Sequence, residues 1–271
     1  MTEKTVTRVT AERDATVKDF ARATWIVFQR DLTIGLRNPV WVLIGLANPI
    51  LYLALFGPLL KKVVESTPGL PSGDAWQIFV PGLLVQLAMF GAAFVGFGLI
   101  AEYRAGVIER MRVTPAPRSA LLVGRVLRDL VVVTIQGALF IVVAVPFGLR
   151  APVLGLLLGL VLVGLLGAAF AALSYAVALR VKSEDALAPI LNGLALPLLL
   201  LSGILLPMSI APTWLQALSD VNPIKHAVDG MRAAFRGDYS IGGMGWGLGA
   251  VFLMLVLGLG LGLRTFQRES A

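Results

Sequence analysis

The sequence contains no cysteine and a single histidine, His226. Without cysteine there is no disulfide framework, no thiolate-ligated zinc or iron–sulfur centre and no thiol nucleophile. One histidine excludes a multi-histidine metal site. Charge is scarce too: 14% of the 271 residues are Asp, Glu, Lys or Arg, while 57% fall in the apolar set. An average soluble domain carries roughly 25% charged residues, so an ordinary soluble domain is a poor reading and disorder is excluded. The chain also lacks G-x-x-x-x-G-K-[ST], so nothing in it cradles nucleotide phosphates, and it offers no nucleophile–base constellation. Basic residues outnumber acidic ones 23 to 16, a net charge of +7. In a soluble protein that excess would point to nucleic acid; in a membrane protein it records orientation.

Charge is missing altogether from six runs: Val40–Leu60, Ile78–Ala101, Leu130–Leu149, Ala151–Leu179, Ala186–Ile210 and Tyr239–Leu263. Each reaches the roughly 20 residues that an apolar helix needs to cross a bilayer. None alternates with period two, which argues against a β-barrel, and in lipid a helix satisfies every backbone N–H and C=O internally. The expected fold is therefore an all-α membrane protein with six transmembrane helices. The fifth run is the loosest, continuing uncharged to Ser219 past Pro197, Pro207 and Pro212. The domain plan is an N-terminal arm over 1–39, a membrane domain over 40–263 and a tail over 264–271. The charged arm has no apolar core of a signal peptide, so the first span is expected to be an uncleaved anchor.

Orientation follows from Lys and Arg. With the N-terminus inside, the inner pieces carry 17 of them and the outer pieces 6. Both termini are expected in the cytoplasm of a multi-pass protein of the plasma or inner membrane, and nucleic acid is not needed to explain the charge.

Two stretches are amphipathic. In Val17–Arg37, Phe20, Ala21, Thr24, Trp25, Phe28, Leu32 and Leu36 form one stripe, opposite Lys18, Arg22, Gln29, Thr33 and Arg37. This reads as an in-plane interfacial helix ended by Asn38-Pro39, or as an extension of the first span. In Ile224–Arg236, opened by Asn222-Pro223, the apolar stripe is Ile224, Ala227, Val228, Met231 and Phe235. Lys225, Asp229, Arg232 and Arg236 fall on another face, at ion-pair spacing for Lys225–Asp229 and Asp229–Arg232. Met231 and Phe235 are expected toward the bundle, and Arg232 and Arg236 at the aqueous boundary. With a short helix over Trp214–Ser219, the segment is either a hairpin dipping into the bilayer or a surface loop.

By their definition the runs contain no ionisable residue, which counts against a proton-coupled transporter. Arg128 and Asp129 sit at the inner edge of the third run, in reach of the headgroups. Uncharged polar residues within the runs include Gln86, Thr134, Gln136, Ser174, Tyr175, Asn192 and Ser202. Gln86, Gln136 and Asn192 are candidates for a substrate path; the competing reading for any of these residues is an interhelical hydrogen bond.

The most informative polar piece is Glu102–Asp129. Headgroup anchoring would explain its cations. Interleaved acids and a short helix ended by Thr114-Pro115 and Pro117 suit docking against another protein. Here the sequence resembles a known family. Glu102-Tyr103-Arg104-Ala105-Gly106-Val107-Ile108-Glu109-Arg110-Met111-Arg112-Val113-Thr114-Pro115-Ala116-Pro117-Arg118 is similar to the E-x-R-x-G-x-[IL]-E-R-x-x-x-T-P-x-x-R signature of ABC-2 type permeases, above all the daunorubicin-resistance-type exporters. Asn222-Pro223-Ile224-Lys225-His226-Ala227-Val228-Asp229-Gly230-Met231-Arg232 is similar to the family's N-P-x-x-[YH]-A-[VI]-[DE]-x-x-R stretch, with Lys225-His226 replacing a commoner Thr-Tyr-like pair.

The resemblance implies an amphipathic N-terminal helix, six spans, and a re-entrant outer hairpin between the fifth and sixth that includes Asn222, Asp229, Met231, Arg232 and Phe235. It makes Glu102, Arg104, Gly106, Glu109, Arg110 and Arg112 a coupling interface seated on a separate ABC ATPase. The N-terminal helix, through Phe20, Trp25, Phe28 and Leu32, would pack beside it. Two permease protomers, as homodimer or heterodimer, and two ATPases would form the transporter. This chain would carry no cofactor; ATP and magnesium would belong to the ATPase. The implied activity is outward movement of an amphipathic drug, antibiotic, lipid or peptide. A self-sufficient secondary transporter or channel is the alternative; an intramembrane enzyme lacks a catalytic pair.

Overall fold

The structure, a computed structural model, describes residues 3–37, 40–66, 75–106, 118–204 and 208–268. Among them there are helices and no strands: α1 (Glu3–Leu36), α2 (Val40–Ser66), α3 (Ala75–Ala93), α4 (Val95–Arg104), α5 (Arg118–Ala144), α6 (Val153–Val181), α7 (Glu184–Leu200), α8 (Thr213–Asp220), α9 (Pro223–Arg236) and α10 (Trp246–Arg268). Among the described residues five segments are long and apolar enough to cross a membrane: Val42–Leu59, Ala75–Arg104, Ser119–Phe147, Val153–Val181 and Ile241–Phe266.

The fourth run becomes one helix, α6, and forms the centre of the bundle. Small residues line it, and its buried positions include Gly155, Gly159, Gly164, Gly167, Ala168 and Ala172. A side chain at Gly159 would meet the Phe235 ring at 2.6 Å, and one at Gly155 would run into the Ala234 carbonyl. Only glycine lets α9 come this close.

The second run is not a single helix. It breaks at Phe94 (φ −93°, ψ 0°) into α3 and α4. Ser174 of α6 mends the break: its hydroxyl accepts from Gly96 N–H at 3.0 Å and donates to the Ala93 carbonyl. The interhelical reading of this polar residue is borne out, and two backbone groups that would be costly to leave bare in lipid are satisfied.

The fifth run departs furthest from expectation. The helix stops at Leu200 after 17 residues, about 26 Å at 1.5 Å per residue and short of a 30 Å hydrocarbon core. A turn with Gly203 at φ +72° follows, and then a 3-10 turn at Met208–Ile210. Two prolines inside α7, Pro189 and Pro197, remove backbone donors where the run was expected to continue. Leu187 and Ala195 are the buried positions of α7; Leu191, Leu198 and Leu199 are half-buried against the core and most of the rest is exposed.

The N-terminal helix is longer than expected, and its apolar stripe divides. Thr24 and Val27 are buried, Phe20, Phe28 and Leu32 half-buried, and Trp25 and Leu36 exposed. Val27 was not in the expected stripe. The crossing with α5 is made close by Gly124, where a Cβ would lie 2.9 Å from the Thr24 carbonyl. Asn38-Pro39, the expected stop, lies outside the described residues.

Candidate functional site

Antiparallel connections divide the bundle into two ends. The ends of α1, α4 and α6 meet the starts of α5 and α7 at the first; α3, α6 and α10 start at the second, beneath α8 and α9.

The first end holds the base of the expected coupling loop. α5 begins twelve residues before the third run, at Arg118, because Arg, Ser and Asp are tolerated in a helix whose other positions are Leu, Val and Ala. That early start carries Arg125, Arg128 and Asp129 into the bundle. Arg125, 6% exposed, is ion-paired with Glu102 at the end of α4, and its Nε lies 3.9 Å from Asp31 of α1. One guanidinium thus ties three helices, two of which bracket the loop. Asp129, only 2% exposed, pairs with Arg128 and accepts from the Tyr175 hydroxyl at 2.6 Å. Asp129 is therefore not a headgroup-reaching side chain, and the expectation that no acid is buried in the bundle fails. Spans drawn where charge stops exclude their own charged ends.

Outside the clamp, Arg104 reaches Glu184 at 3.7 Å with both side chains about half exposed, a contact worth little in water. Lys182 lies over the Tyr103 ring, 5.3 Å from its centroid. Gly106 has φ +67° and donates its N–H to the Tyr103 carbonyl at 3.1 Å, ending α4 in the left-handed turn that favours glycine. Among the described residues, no atom outside its chain neighbours approaches within 4 Å of a Cβ there, so the turn is what requires glycine in the described structure. Glu109, Arg110 and Arg112 lie outside the described residues.

At the second end, Asn222 caps α9. Its side chain accepts from Ile224 N–H at 3.0 Å and donates to the Leu198 carbonyl at 2.9 Å, and Pro223 takes the first helical position. Met231 and Phe235 are fully buried, as expected. Arg232 is not at the aqueous boundary: it is 3% exposed. Its Nε donates to the Ile78 carbonyl at 2.9 Å, and Nη2 to that of Gly203 at 2.7 Å. Those carbonyls, at the first turn of α3 and the turn after α7, form a polar socket that helical spacing does not reveal. Lys225 pairs with Asp220 in place of Asp229, and this holds the exposed Asp220 carboxyl below its ordinary range. Asp229 instead lies 3.8 Å from Arg232.

The three path candidates do not converge. Gln86 lines a cavity of about 260 Å³ between α2 and α3, with Asn48, Phe90 and Phe94. Its buried Oε1 has no hydrogen-bond partner among the described residues. Gln136 lies beside this cavity, donating weakly to the Val42 carbonyl at 3.4 Å. Asn192 is exposed on α7, apart from both. Asn48 was missed; its place in an apolar run next to Pro49 was the signal.

The helices define a polytopic membrane protein whose first end is braced across three helices. The chain belongs to the ABC-2 type transporter family, which matches residues 22–235. It is 27% identical over 231 residues to a protein of Cyanophora paradoxa named as a transport permease, ycf38, covering 84% of this chain and 79% of that one. It is 27% identical over 206 residues to the daunorubicin resistance ABC transporter permease DrrB1 of Streptomyces coeruleorubidus, covering 73% and 70%. It is 25% identical over 176 residues to YbhR of Escherichia coli K12, named as a multidrug ABC transporter permease, covering 63% and 47%. The chain is accordingly a multi-pass ABC transporter permease, a transport subunit.

Proposed function

We propose that this permease exports an amphipathic substrate under the drive of a separate ABC ATPase, which docks on the loop between α4 and α5. The observation that carries the reading is the Glu102–Arg125–Asp31 clamp. A loop braced at its base onto α1, α4 and α5 passes displacement into the bundle with little slack. In this reading Glu102 and Arg125 set the base of the coupling segment, Gly106 sets its turn, and Arg104, Glu109, Arg110 and Arg112 meet the ATPase. ATP and magnesium are bound by that partner. Two ATPases serve two permease protomers, both termini lie in the cytoplasm, α7 serves as a short fifth of six spans, and α8–α9 form the outer re-entrant hairpin. The cavity at Gln86 supports a path for amphipathic molecules: the α3 wall carries aromatic rings beside an amide oxygen that has no partner among the described residues. The names of DrrB1 and YbhR point to drugs as the cargo class.

One observation favours the secondary-transporter alternative, the burial of Asp129. Its carboxylate is already paired with Arg128 and hydrogen-bonded by Tyr175, which suits a fixed brace better than a proton carrier.

The test is the double variant Glu109→Arg with Arg110→Glu, which keeps net charge and inverts the local pattern. Co-reconstituted with its ATPase, it is expected to insert normally and to lose ATPase association, or to lose transport with association retained. Wild-type assembly and transport would reduce the loop to a headgroup anchor.

A further inference from the structure

A cavity of about 510 Å³ opens at the second end, between α8–α9 and the start of α10. That volume lies within the roughly 300–1,000 Å³ of small-ligand sites, yet its walls are strongly polar. Along α9 it presents Lys225, Asp229, Arg232 and Arg236, and beyond the helix Asp238 and Ser240. An apolar molecule would strand these groups without partners.

The charges are not interchangeable. Arg232 is immobilised: Nε and Nη2 are held by backbone carbonyls. Among the described residues Nη1 is its one guanidinium nitrogen without a hydrogen bond, 3.8 Å from Asp229. Arg236 is exposed and has no ion pair among the described residues. Lys225 is already held by Asp220. Opposite them, the hydroxyl and backbone N–H of Ser240 hold the Asp238 carboxyl below its usual range, so it stays ionised near neutral pH. The cavity therefore offers a fixed guanidinium edge, a free guanidinium and two carboxylates. Trp214, Tyr239 and Trp246 are exposed on this end of the chain, the residue types that settle at headgroup depth.

We infer that this cavity binds the zwitterionic phosphoethanolamine headgroup of a phospholipid in the adjacent leaflet. The phosphate lies against Arg232 Nη1 and Arg236, and the ammonium donates to Asp229 and Asp238. An anionic glycerol headgroup leaves the two carboxylates unpaired. A choline headgroup has no N–H to donate to them.

The test uses the full chain purified in detergent. Phosphatidylethanolamine, phosphatidylglycerol and phosphatidylcholine with matched acyl chains are supplied in equal amounts, and retained lipid is read by native mass spectrometry. Asp238→Asn and Arg236→Gln lie on the exposed rim and are checked for folding by circular dichroism. Phosphatidylethanolamine is expected to be retained about tenfold over the other two, a preference of ~1.4 kcal/mol. Asp238→Asn should remove the preference over phosphatidylglycerol, and Arg236→Gln should weaken both lipids. Equal retention of the three lipids, or a preference unchanged in both variants, overturns the site. Displacement of the lipid by millimolar glycerophosphoethanolamine would assign it to a soluble ligand and overturn the lipid source.

Discussion

Arg125 is the side chain on which the coupling reading turns, and Arg125→Met isolates its charge. Methionine fills much of the space of the arginine stem, so packing against α1 and α4 is largely kept. What is lost is the pair with Glu102 and the weaker approach to Asp31. Breaking a fully buried pair costs about 3–5 kcal/mol, and an exposed one at most about 1 kcal/mol. The Glu102 side chain is 35% exposed and can rehydrate, whereas that of Asp31, at 12%, rehydrates poorly. These exposures place the cost between the two limits, at about 2 kcal/mol. Glu102→Gln leaves Arg125 with Asp31 and should cost about 1 kcal/mol. Because the two residues touch, the double variant should cost less than the sum of the singles, by about 1 kcal/mol. The assay is unfolding in mixed micelles followed by the fluorescence of the five tryptophans. Additivity of the two substitutions within about 0.3 kcal/mol would refute the clamp. Reconstituted with the ATPase, Arg125→Met is expected to retain ATP hydrolysis while transport falls; unimpaired transport would remove Arg125 from the coupling path.

Gly106→Val should destabilise by about 1–2 kcal/mol through its left-handed backbone alone, while Gly106→Asn should be nearly silent; equal loss in both, read by the same unfolding assay, would point to a steric role. Ser174→Ala leaves Gly96 N–H and the Ala93 carbonyl unpaired and should cost about 1–3 kcal/mol, with Ser174→Thr recovering part of it. A cysteine at Ser183, in this otherwise cysteine-free chain, should resist impermeant maleimide in intact cells and react in inverted vesicles; labelling from outside would overturn the orientation.

The parts of the fold legible in the sequence are those that depend on long uniform runs. α6 lies within two residues of the expected fourth span at each end, because continuous Leu, Val, Ala and Gly leave hydrophobic burial as the sole determinant. α9 and its cap were legible for another reason: Asn222-Pro223 is a local signal with a local mechanism. The break at Phe94 and the stop at Leu200 were not. Both occur inside apolar sequence, where hydropathy is blind to backbone geometry, and the first is held by a hydroxyl 78 residues away.

The candidate site was legible in outline and illegible in its charges, for one physical reason. Reading spans from the absence of charge assumes that Arg and Asp mark water, but charges can enter a bundle when their partners enter with them. Arg125 and Asp129 do so four residues apart on α5, with partners supplied by α1, α4 and α6; Arg232 does so with carbonyls freed by the turn after α7. Apart from Arg128 beside Asp129 and Asp229 one turn before Arg232, these partners are remote in sequence, so a local window contains only part of the compensation. A signal was nonetheless present. Arg125 and Asp129 share one face of a helix on which Leu122, Val126 and Val133 face the core, and charges on the core-facing side of an amphipathic helix are either paired or functional. At the first end they are paired, and that pairing braces the loop on which the proposed ATPase docks.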